Sequence, residues 1–418
     1  MTTAPLPDSA DVVIIGAGLA GLVAARVLEQ HGMSPLLLEA SDGVGGRVRS
    51  DIVDGFVLDR GFQVLLTAYP EIHRHLDIPA LDLRPFEPGA LVWRKGKGHV
   101  VGDPFRRPTT LLSTSTSPIG TIGDKMRIAA FRARLMRSDA RDLMRADDKP
   151  TVDALREMGF SQQIIDRFFT PLVGGIQLDP GLTTSRRMFD VIFRTLATGD
   201  SAVPAAGMGA ISEQLVRSLA TTRVSLNSPV ASVSPGRVVL ENGHVVAATN
   251  IVVATEGPVA SRLLDLPEVR SRAAGCVYFA APVSPVKGAY VVLDGHGEGP
   301  VLNVAVMSNV SPQYAPHGQH LVAAALPGVC EGDLEAAARR QLRSWWGAAV
   351  DDWRHLRTYR IPHGQPAQDA PFSPKKKVSL GDGLFVCGDH RDTGSIQGAM
   401  FSGRRTAQIV AEKVKATS

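Results

Sequence analysis

The N-terminal part of the chain alternates between apolar runs and glycine-rich turns in a regular order. Residues 12–15 are uniformly apolar, which is typical of a strand buried on both faces of a parallel sheet. A glycine-rich turn at residues 16–21 follows, and apolar positions then recur with the period of a helix that is expected to stop at Gly32. A second apolar run at residues 36–38 ends in Glu39. The pattern therefore predicts a strand, a turn, a helix and a second strand.

The rest of the chain predicts a mixture of strands and helices. Residues 51–66 alternate in part between apolar and polar positions and predict a hairpin. Residues 125–158 are helical in character, and residues 275–327 contain several β-rich runs that indicate an antiparallel sheet. The last apolar run, residues 383–387, ends at a Gly-Asp turn and is followed by what resembles a helix of small residues.

Composition sets limits on the class of protein. The 418 residues suffice for two domains, and 44% hydrophobic with 21% charged residues is ordinary for a globular protein. A net charge of +4 is too weak to argue for nucleic acid. Three widely spaced cysteines form no disulfide framework, so we expect a reducing, cytoplasmic environment. No apolar stretch approaches the roughly 20 residues that span a bilayer, and the N-terminus lacks the features of a secretory signal.

The turn at residues 16–21 fits the pattern GxGxxG, with Gly16, Gly18 and Gly21 at the glycine positions. The first glycine permits a tight turn, the second lets the backbone approach a pyrophosphate, and the third allows close packing of helix against strand. The helix N-terminus offers N–H groups and a positive dipole to the phosphates. Glu39 can accept hydrogen bonds from ribose hydroxyls and would repel a 2′-phosphate, so we predict NAD or FAD rather than NADP.

A second glycine pair and an arginine, Gly45-Gly46-Arg47, follow the acidic residue. The glycines bring the backbone close to a ligand, and the guanidinium can pair with phosphate oxygens. A plain NAD dehydrogenase has no need of this second device. With GxGxxG, the acid that closes the second strand, and GGR at this spacing, the chain resembles the flavin-containing amine oxidase superfamily, which includes amine oxidases, protoporphyrinogen oxidases and phytoene desaturases. The resemblance implies bound FAD.

The resemblance also implies the fold and the domain plan. The expected class is α/β, with a Rossmann-type FAD-binding domain interleaved with an α+β substrate domain. The FAD-binding domain is expected to comprise residues 1–70, 200–265 and 360–418, and the substrate domain residues 71–199 and 266–359.

Further cofactor contacts follow from the resemblance. In the related flavoproteins the valine of a matching Pro-Val segment contacts the adenine, which points to Val230, and a matching Gly-Asp turn contacts the flavin side of the cofactor. A helix that starts after this turn could direct its N–H groups at the flavin ring. The predicted cofactor-binding residues are Gly16, Ala17, Gly18, Leu19, Ala20, Gly21, Glu39, Ala40, Gly45, Gly46, Arg47, Val230, Gly388, Asp389, Ile396, Gln397 and Ala399.

A flavin leaves the protein with the tasks of positioning substrate and excluding water, because the flavin N5 accepts the hydride. The sequence contains neither a recognisable set of metal ligands nor a nucleophile motif, so no metal is predicted. The catalytic residues are unknown at this stage. Gln63, His390 and Arg391 are candidates by position alone.

The choice of substrate rests on what the C-terminal segment lacks. Amine oxidases of the family hold the amine beside the flavin with aromatic side chains, yet residues 388–400 contain no aromatic residue. Oxidation of an apolar isoprenoid or carotenoid-like C–C bond needs only an apolar channel, so a desaturase-like reaction is the leading prediction. The alternatives are an amine oxidase, a protoporphyrinogen-type oxidase in which Arg186 or Arg187 pairs with a propionate, and a flavin-free lipid-binding module of the same fold.

The helical stretch 125–158 leaves membrane contact open. Ile128, Phe131, Leu135 and Met136 fall on one face, and arginines populate the rest. A basic amphipathic helix can lie on an anionic membrane, but we favour a core-packed helix with a solvated face. The predicted partners are a small hydrophobic substrate and oxygen or a quinone as electron acceptor, with peripheral membrane contact as the open alternative and no nucleic acid.

Overall fold

The computed structural model describes residues 5–417. In chain order the strands are β1 (Ser9–Ile15), β2 (Leu36–Leu38), β3 (Ser50–Val53), β4 (Phe56–Asp59), β5 (Leu65–Leu66), β6 (Leu83–Pro85), β7 (Gly89–Arg94), β8 (Lys97–Gly102), β9 (Ser201–Pro204), β10 (Arg223–Ser225), β11 (Val230–Ser234), β12 (Arg237–Leu240), β13 (Val245–Val253), β14 (Ser271–Ala281), β15 (Val291–Asp294), β16 (Asn303–Val306), β17 (His320–Pro327), β18 (Arg354–Pro366), β19 (Ser379–Gly381) and β20 (Leu384–Val386).

The α-helices are α1 (Leu19–Gln30), α2 (Pro70–His75), α3 (Leu111–Thr116), α4 (Ile122–Arg137), α5 (Ala140–Leu143), α6 (Thr151–Glu157), α7 (Gln162–Ile164), α8 (Gly175–Gln177), α9 (Arg186–Thr198), α10 (Gly209–Arg217), α11 (Gly257–Leu264), α12 (Met307–Val310), α13 (Leu334–Trp346) and α14 (Ile396–Thr417). A π-helical segment, Ile165–Gly174, joins α7 to α8, and short 3₁₀ turns include Asp389–Arg391. No helix within residues 5–417 is long and apolar enough to cross a bilayer.

The first sheet has the topology of a dinucleotide-binding unit. Strands β10, β2, β1 and β13 run parallel in that order, and the apolar residues 12–15 are buried as their sequence predicts. Strand β13 has two partners on its other side. Residues 245–247 pair with antiparallel β12, and residues 251–253 pair with parallel β20. The carboxyl ends of β1, β2, β13 and β20 therefore meet at one edge, where ligands of such sheets bind.

The second sheet has seven strands in the order β18-β14-β17-β16-β15-β7-β8, antiparallel except for the β15–β7 pair. Alternate residues of β14 point to different layers. Cys276 and Tyr278 belong to the core that includes α1 and α14, whereas Val277 and Phe279 pack in the core that includes α13. One face of this sheet is thus packed against the first unit, and the other is covered by its own helix.

The prediction of an α/β protein with parallel and antiparallel sheets is confirmed, as is the hairpin of β3 and β4. The assignment of residue ranges to two domains stays a prediction. The apolar stretch 168–175 contains a proline and a glycine pair, which predict a turn-rich segment, but it lies instead in and after the π-helical segment. Phe169 is fully buried there among other aromatic rings.

Candidate cofactor site

The turn between β1 and α1 needs glycine at its first and last positions. Gly16 has φ 103°, and its N–H donates to the Leu38 carbonyl at 2.7 Å. A Cβ on Gly21 would lie 1.9 Å from the Gly16 carbonyl oxygen, so no side chain fits at that position. These two glycines bring α1 close to the end of β1, as the fingerprint predicts.

Gly18 is different, because neither its backbone nor its neighbours require glycine. Its φ of −71° and ψ of 178° suit any residue, and a Cβ built there meets nothing within 4 Å. Gly18 is also the N-cap residue of α1. It has no side chain that could accept hydrogen bonds from the N–H groups in the first turn of this helix. The open space at a helix N-terminus fits the pyrophosphate of a dinucleotide, and a side chain would fill it.

The acidic residue at the end of β2 is held at this turn. One carboxylate oxygen of Glu39 accepts from the Ala17 N–H at 2.7 Å, and the other accepts from the N–H and hydroxyl of Ser41 at 2.9 and 2.7 Å. Leu19 and Ala20 are buried in α1, while Ala40 is exposed.

The strand that carries Val230 approaches the same end. Backbone bonds of 2.8 Å link Glu39 to Ser225 and to Ser228, so the segment before β11 runs beside Glu39. Val230, the first residue of β11, is buried and pairs with Leu240. Its position is compatible with the predicted adenine contact, which stays a prediction.

The GGR segment packs directly on the glycine-rich turn. Gly45 has φ 111° and donates its N–H to the Ala17 carbonyl at 2.8 Å, and a Cβ on Gly46 would lie 3.4 Å from the Cα of Gly18. Residues 16–21 and the GGR segment therefore lie side by side and form one continuous surface at Gly18.

Arg47 joins the first and last parts of the chain. Its Nη2 lies 2.7 Å from Asp389 Oδ2, and its Nη1 donates to the Gly364 carbonyl at 2.7 Å. The sequence suggested a phosphate partner for Arg47 and a contact of the Gly-Asp turn with the flavin side of the cofactor, whereas here the side chains of Arg47 and Asp389 pair with each other. The pair fixes the Gly-Asp turn beside the glycine-rich segments.

The Gly-Asp turn carries an unusual histidine. Gly388 has φ 143°, and a Cβ there would meet the His390 ring at 2.6 Å. His390 is 3% exposed, and neither ring nitrogen has a hydrogen-bond partner within the described residues. Burial lowers the pKa of His390 to about 4, so the ring is neutral at neutral pH. Unsatisfied buried nitrogens at this position are compatible with a polar ligand beside the turn.

His390 should make the protein less stable on acidification. The unfolded chain binds a proton near the ordinary pKa of 6.5 and the folded chain only near 4, so stability is retained above 6.5 and lost as the pH falls towards 4. As the pH is lowered through this range, the free energy of unfolding should fall less in His390→Gln than in the unaltered protein. Urea unfolding at several pH values measures this difference. The exposed His317→Gln is the control, and equal pH dependence of all three proteins would contradict the assignment.

Helix α14 begins at Ile396, where a flavin contact is predicted. The Ser395 hydroxyl accepts from the Gly398 N–H at 3.0 Å and so caps this end. Ile396 and Ala399 are half-buried, and the side-chain oxygen of Gln397 accepts from the Glu71 N–H at 3.0 Å. The Gln397 side chain is thus used to bind α2, which leaves its backbone for the predicted role.

Gly398 provides a test of this helix start. A Cβ would lie 1.9 Å from the Thr393 carbonyl oxygen, so a larger residue must displace the turn before α14. We expect Gly398→Leu to retain less FAD than the unaltered protein, measured as the ratio of flavin to protein absorbance after gel filtration. Ala416→Leu on an exposed part of the same helix is the control. An unchanged ratio in Gly398→Leu would count against the contact.

Two contacts hold α14 in place. A Cβ on Gly403 would lie 2.2 Å from the Ala20 carbonyl oxygen, so α14 lies directly against α1. Arg404 donates two hydrogen bonds of 2.8 Å to the Glu71 carboxylate, whose side chain is only 3% exposed. His75 approaches the same carboxylate at 3.3 Å.

The other candidates by position bind the protein backbone. Gln63 donates to the carbonyls of Arg47 and Arg60 at 2.8 and 3.3 Å, and Arg391 donates to the Lys377 carbonyl. Both side chains therefore have a structural role, and no step of a reaction can be assigned to either. Of the three candidates, His390 alone has no partner among the described residues.

Several residues that shape this region could not be found from the sequence. Gly364 accepts from Arg47, and Gln368 accepts from the Gly394 N–H at 2.8 Å. Asp59 is fully buried and accepts from the Ser50 hydroxyl at 2.6 Å and from the Tyr314 hydroxyl at 2.8 Å. Burial raises the pKa of Asp59 to about 6. No motif marks these residues, because each is a single side chain or carbonyl on an element distant in sequence.

A separate groove lies at the amino ends of the parallel strands. This shallow groove of about 730 Å³ is lined by Ser9, Leu36 and neighbouring residues at the amino ends of β1 and β2. Ligands of parallel sheets bind at the carboxyl ends, so this groove is not the nucleotide site.

Comparison with known proteins agrees with these features. The family described as flavin containing amine oxidoreductase matches residues 19–411. Protoporphyrinogen oxidase 2 of Arabidopsis thaliana is 28% identical over 181 residues, which is 43% of this chain and 35% of the relative. A 15-cis-phytoene desaturase of Narcissus pseudonarcissus is 38% identical over 72 residues, 17% of this chain and 13% of the relative.

A solved oxidoreductase structure from Methanosarcina mazei shares the fold. It superposes with a TM-score of 0.71 at 15% identity, over 95% of this chain and 99% of the other. The curated matches cover about a third or less of those relatives' own length. The family match spans nearly the whole chain, and it confirms the resemblance and the FAD cofactor that the glycine-rich segments predict. The chain belongs to the flavin-containing amine oxidoreductase family.

Proposed function

We propose that the protein is an FAD-dependent oxidoreductase that takes a hydride from a C–H bond, with loss of a proton from the neighbouring carbon, and so desaturates an apolar C–C bond of an isoprenoid or carotenoid-like substrate. FAD supplies the hydride acceptor when it is bound. The observation that carries the choice of substrate is that residues 388–400, the Gly-Asp turn and the start of α14, contribute no aromatic side chain to a cage for an amine. The phytoene desaturase relative supports the same class of substrate.

An aromatic cage for an amine would need ring faces near the start of α14. Residues 388–400 contain no aromatic residue, and Phe401 is engaged by cations. The ring of Phe401 lies 5.1 Å from the Arg404 guanidinium carbon, 5.6 Å from Lys375 Nζ and 5.9 Å from the Arg405 guanidinium carbon. A protonated amine approaching this ring would meet like charges.

A tetrapyrrole is the second candidate, because Lys375 and Arg405 would attract carboxylates, whereas Arg404 is already paired with Glu71. Segment 374–405 contains six Lys or Arg residues and three Asp residues, and Asp389 is already paired with Arg47. The protoporphyrinogen oxidase relative points the same way. The two arginines first considered for a propionate are engaged, since Arg186 pairs with Asp190 and Arg187 donates to two backbone carbonyls.

We propose that the seventeen cofactor-binding residues predicted from the sequence bind FAD, most of them in two groups. The turn after β1, Glu39 and Val230 bind the ADP half, and the Gly-Asp turn with the start of α14 binds the flavin half. The ranges 1–70, 200–265 and 360–418 form the proposed FAD-binding domain, and 71–199 and 266–359 the substrate domain.

Oxygen or a quinone is the proposed electron acceptor. The three unpaired cysteines support a reducing, cytoplasmic location. The flavin-free binding module is the alternative from another class, and it is disfavoured because such a module has no use for the open space at Gly18.

The substrate is tested by mixing the purified, flavin-loaded protein with candidate substrates without oxygen and following the flavin absorbance. Loss of the oxidised flavin spectrum with an isoprenoid precursor such as phytoene in micelles, but not with putrescine or benzylamine, is expected. Bleaching by protoporphyrinogen alone would favour the tetrapyrrole candidate, and bleaching by amines alone would overturn the proposal. A colourless protein that stays apo in excess FAD would overturn the flavoenzyme assignment.

A further inference from the structure

Exposed apolar side chains are concentrated in one short segment. Of the eight large hydrophobic residues that stand out as exposed within residues 5–417, five lie between residues 105 and 126, each 61–74% exposed. These five residues, which we name the apolar surface, are Phe105, Leu111, Leu112, Ile122 and Met126. Single exposed hydrophobic residues need no explanation, but a cluster marks an interaction site.

The apolar surface is built on two helices that are fastened together. None of the residues of α3 is buried, so this helix presents Leu111 and Leu112 to solvent. The Lys125 ammonium group in the first turn of α4 donates to the carbonyls of Ser115 and Ser117 at 2.8 and 2.6 Å, which ties the end of α3 to α4.

The start of α4 is fixed as well. Thr121 and Asp124 form a reciprocal capping box at its N-terminus, directly beside Ile122. The guanidinium carbon of Arg132 lies 4.5 Å from the centre of the Phe105 ring. The apolar side chains are therefore held outward by a defined structure.

Helix α4 has a second apolar side that its core packing does not use. Phe131 and Leu135 are buried in the core of this region, as the sequence pattern predicts. Ile122, Met126 and the exposed Ala130 follow each other at intervals of four residues and so line one stripe on the outside.

Exposed cations lie on the same helix as Ile122 and Met126 and in the segment that follows it. Residues 105–145 contain nine Lys or Arg residues and three Asp residues. Among these cations, the exposed ones are Arg127, Arg134, Arg137, Arg141 and Arg145. Acidic groups neutralise Arg106, Arg107 and Arg132 and also the exposed Arg134, which pairs with Asp190 at 3.4 Å.

We propose that the apolar surface docks onto an anionic lipid bilayer, with Leu111, Leu112 and Ile122 in the headgroup–acyl boundary and the arginines among the headgroups. Apolar side chains flanked by arginine and lysine are the combination that holds amphipathic helices in such an interface. A second copy of this chain is the less favourable occupant, because two basic surfaces would be brought together. The proposal does not depend on the substrate proposed above.

Vesicle sedimentation tests this docking. The flavin-loaded full-length protein is expected to pellet with vesicles of phosphatidylcholine mixed with phosphatidylglycerol, to pellet less with phosphatidylcholine alone, and to be released by salt. The double variant Leu111→Ser/Leu112→Ser should lower the partition coefficient by about tenfold or more, because two leucine side chains no longer leave water. Arg134 pairs with Asp190, so Arg137→Gln/Arg141→Gln is the better test of the charge contribution, and it should lower binding to the anionic vesicles only.

Two exposed hydrophobic residues outside the apolar surface serve as matched controls. Ile52 and Val283 are 71% and 72% exposed, so Ile52→Ser/Val283→Ser changes the same chemistry elsewhere. This control should bind vesicles like the unaltered protein, and an unchanged flavin spectrum verifies that each variant is folded. The proposal would be overturned if the protein pelleted with neither kind of vesicle. It would also be overturned if the leucine variant and the Ile52→Ser/Val283→Ser control lost vesicle binding equally. Light scattering that detects a dimer which the leucine variant dissociates would assign the surface to a second copy instead.

Discussion

Replacing Gly18 with valine is expected to abolish FAD retention while leaving the apo fold intact. The backbone of Gly18 suits any residue, and a Cβ meets nothing within 4 Å. We therefore expect the stability of the apo protein to be unchanged. A side chain there would occupy the space proposed for the pyrophosphate. We expect FAD affinity to fall at least about a hundredfold, which corresponds to roughly 2.8 kcal/mol, measured by titrating apo protein and following flavin fluorescence.

Gly21→Ala is the informative comparison, because it places a Cβ 1.9 Å from the Gly16 carbonyl oxygen and must disturb the fold as well. The two variants should therefore separate in the thermal unfolding of their apo forms, with Gly18→Val close to the unaltered protein. If Gly18→Val binds FAD normally, the phosphate does not lie at this turn.

The second large effect is expected at the ion pair between α2 and α14. Arg404→Met leaves the Glu71 carboxylate buried without its bidentate partner, and the free energy of unfolding should fall by about 3–5 kcal/mol. Urea unfolding of the apo protein measures this loss. The double variant Glu71→Gln/Arg404→Met should recover much of it, since no unpaired charge then remains. A double variant as unstable as the single one would show that packing of the arginine stem matters more than its charge.

The same pair predicts a pH dependence. Burial alone would raise the pKa of Glu71, but the hydrogen bonds from His75 and Arg404 lower it to about 2. The stabilisation is therefore fully present above the ordinary pKa of 4.5 and is lost as the pH falls towards 2. Glu71→Gln/Arg404→Met should lack this component of acid unfolding.

The nucleotide-binding unit could be predicted closely because its signals are local. An apolar run, three spaced glycines and a terminal acid lie in one stretch, and they gave the positions of β1, α1 and β2 to within a few residues. The roles of the individual residues toward the cofactor remain proposals.

Contacts between distant parts of the chain could not be predicted in this way. Arg47 and Asp389 are 342 positions apart, and nothing in either motif indicates that they pair. The helical period placed Phe131 and Leu135 in the core, but Met136, assigned to the same face, is 41% exposed. The π-helical segment was not predicted either, because its Pro171 suggested a turn where the chain continues in a helix.

The central position of β13 has a consequence for how the protein is made. Strand β20 and the Gly-Asp turn complete a site whose first glycine is encoded roughly 370 residues earlier. At about 5–20 residues per second, a ribosome needs about 20 to 80 s to travel from Gly16 to Asp389. From the synthesis of β13 until that of β20, the edge of β13 that β20 will cover has no partner, and the surface of α1 that Gly403 will meet stays open for longer still. The nascent chain should therefore depend on chaperones during this interval and capture FAD only late in its synthesis.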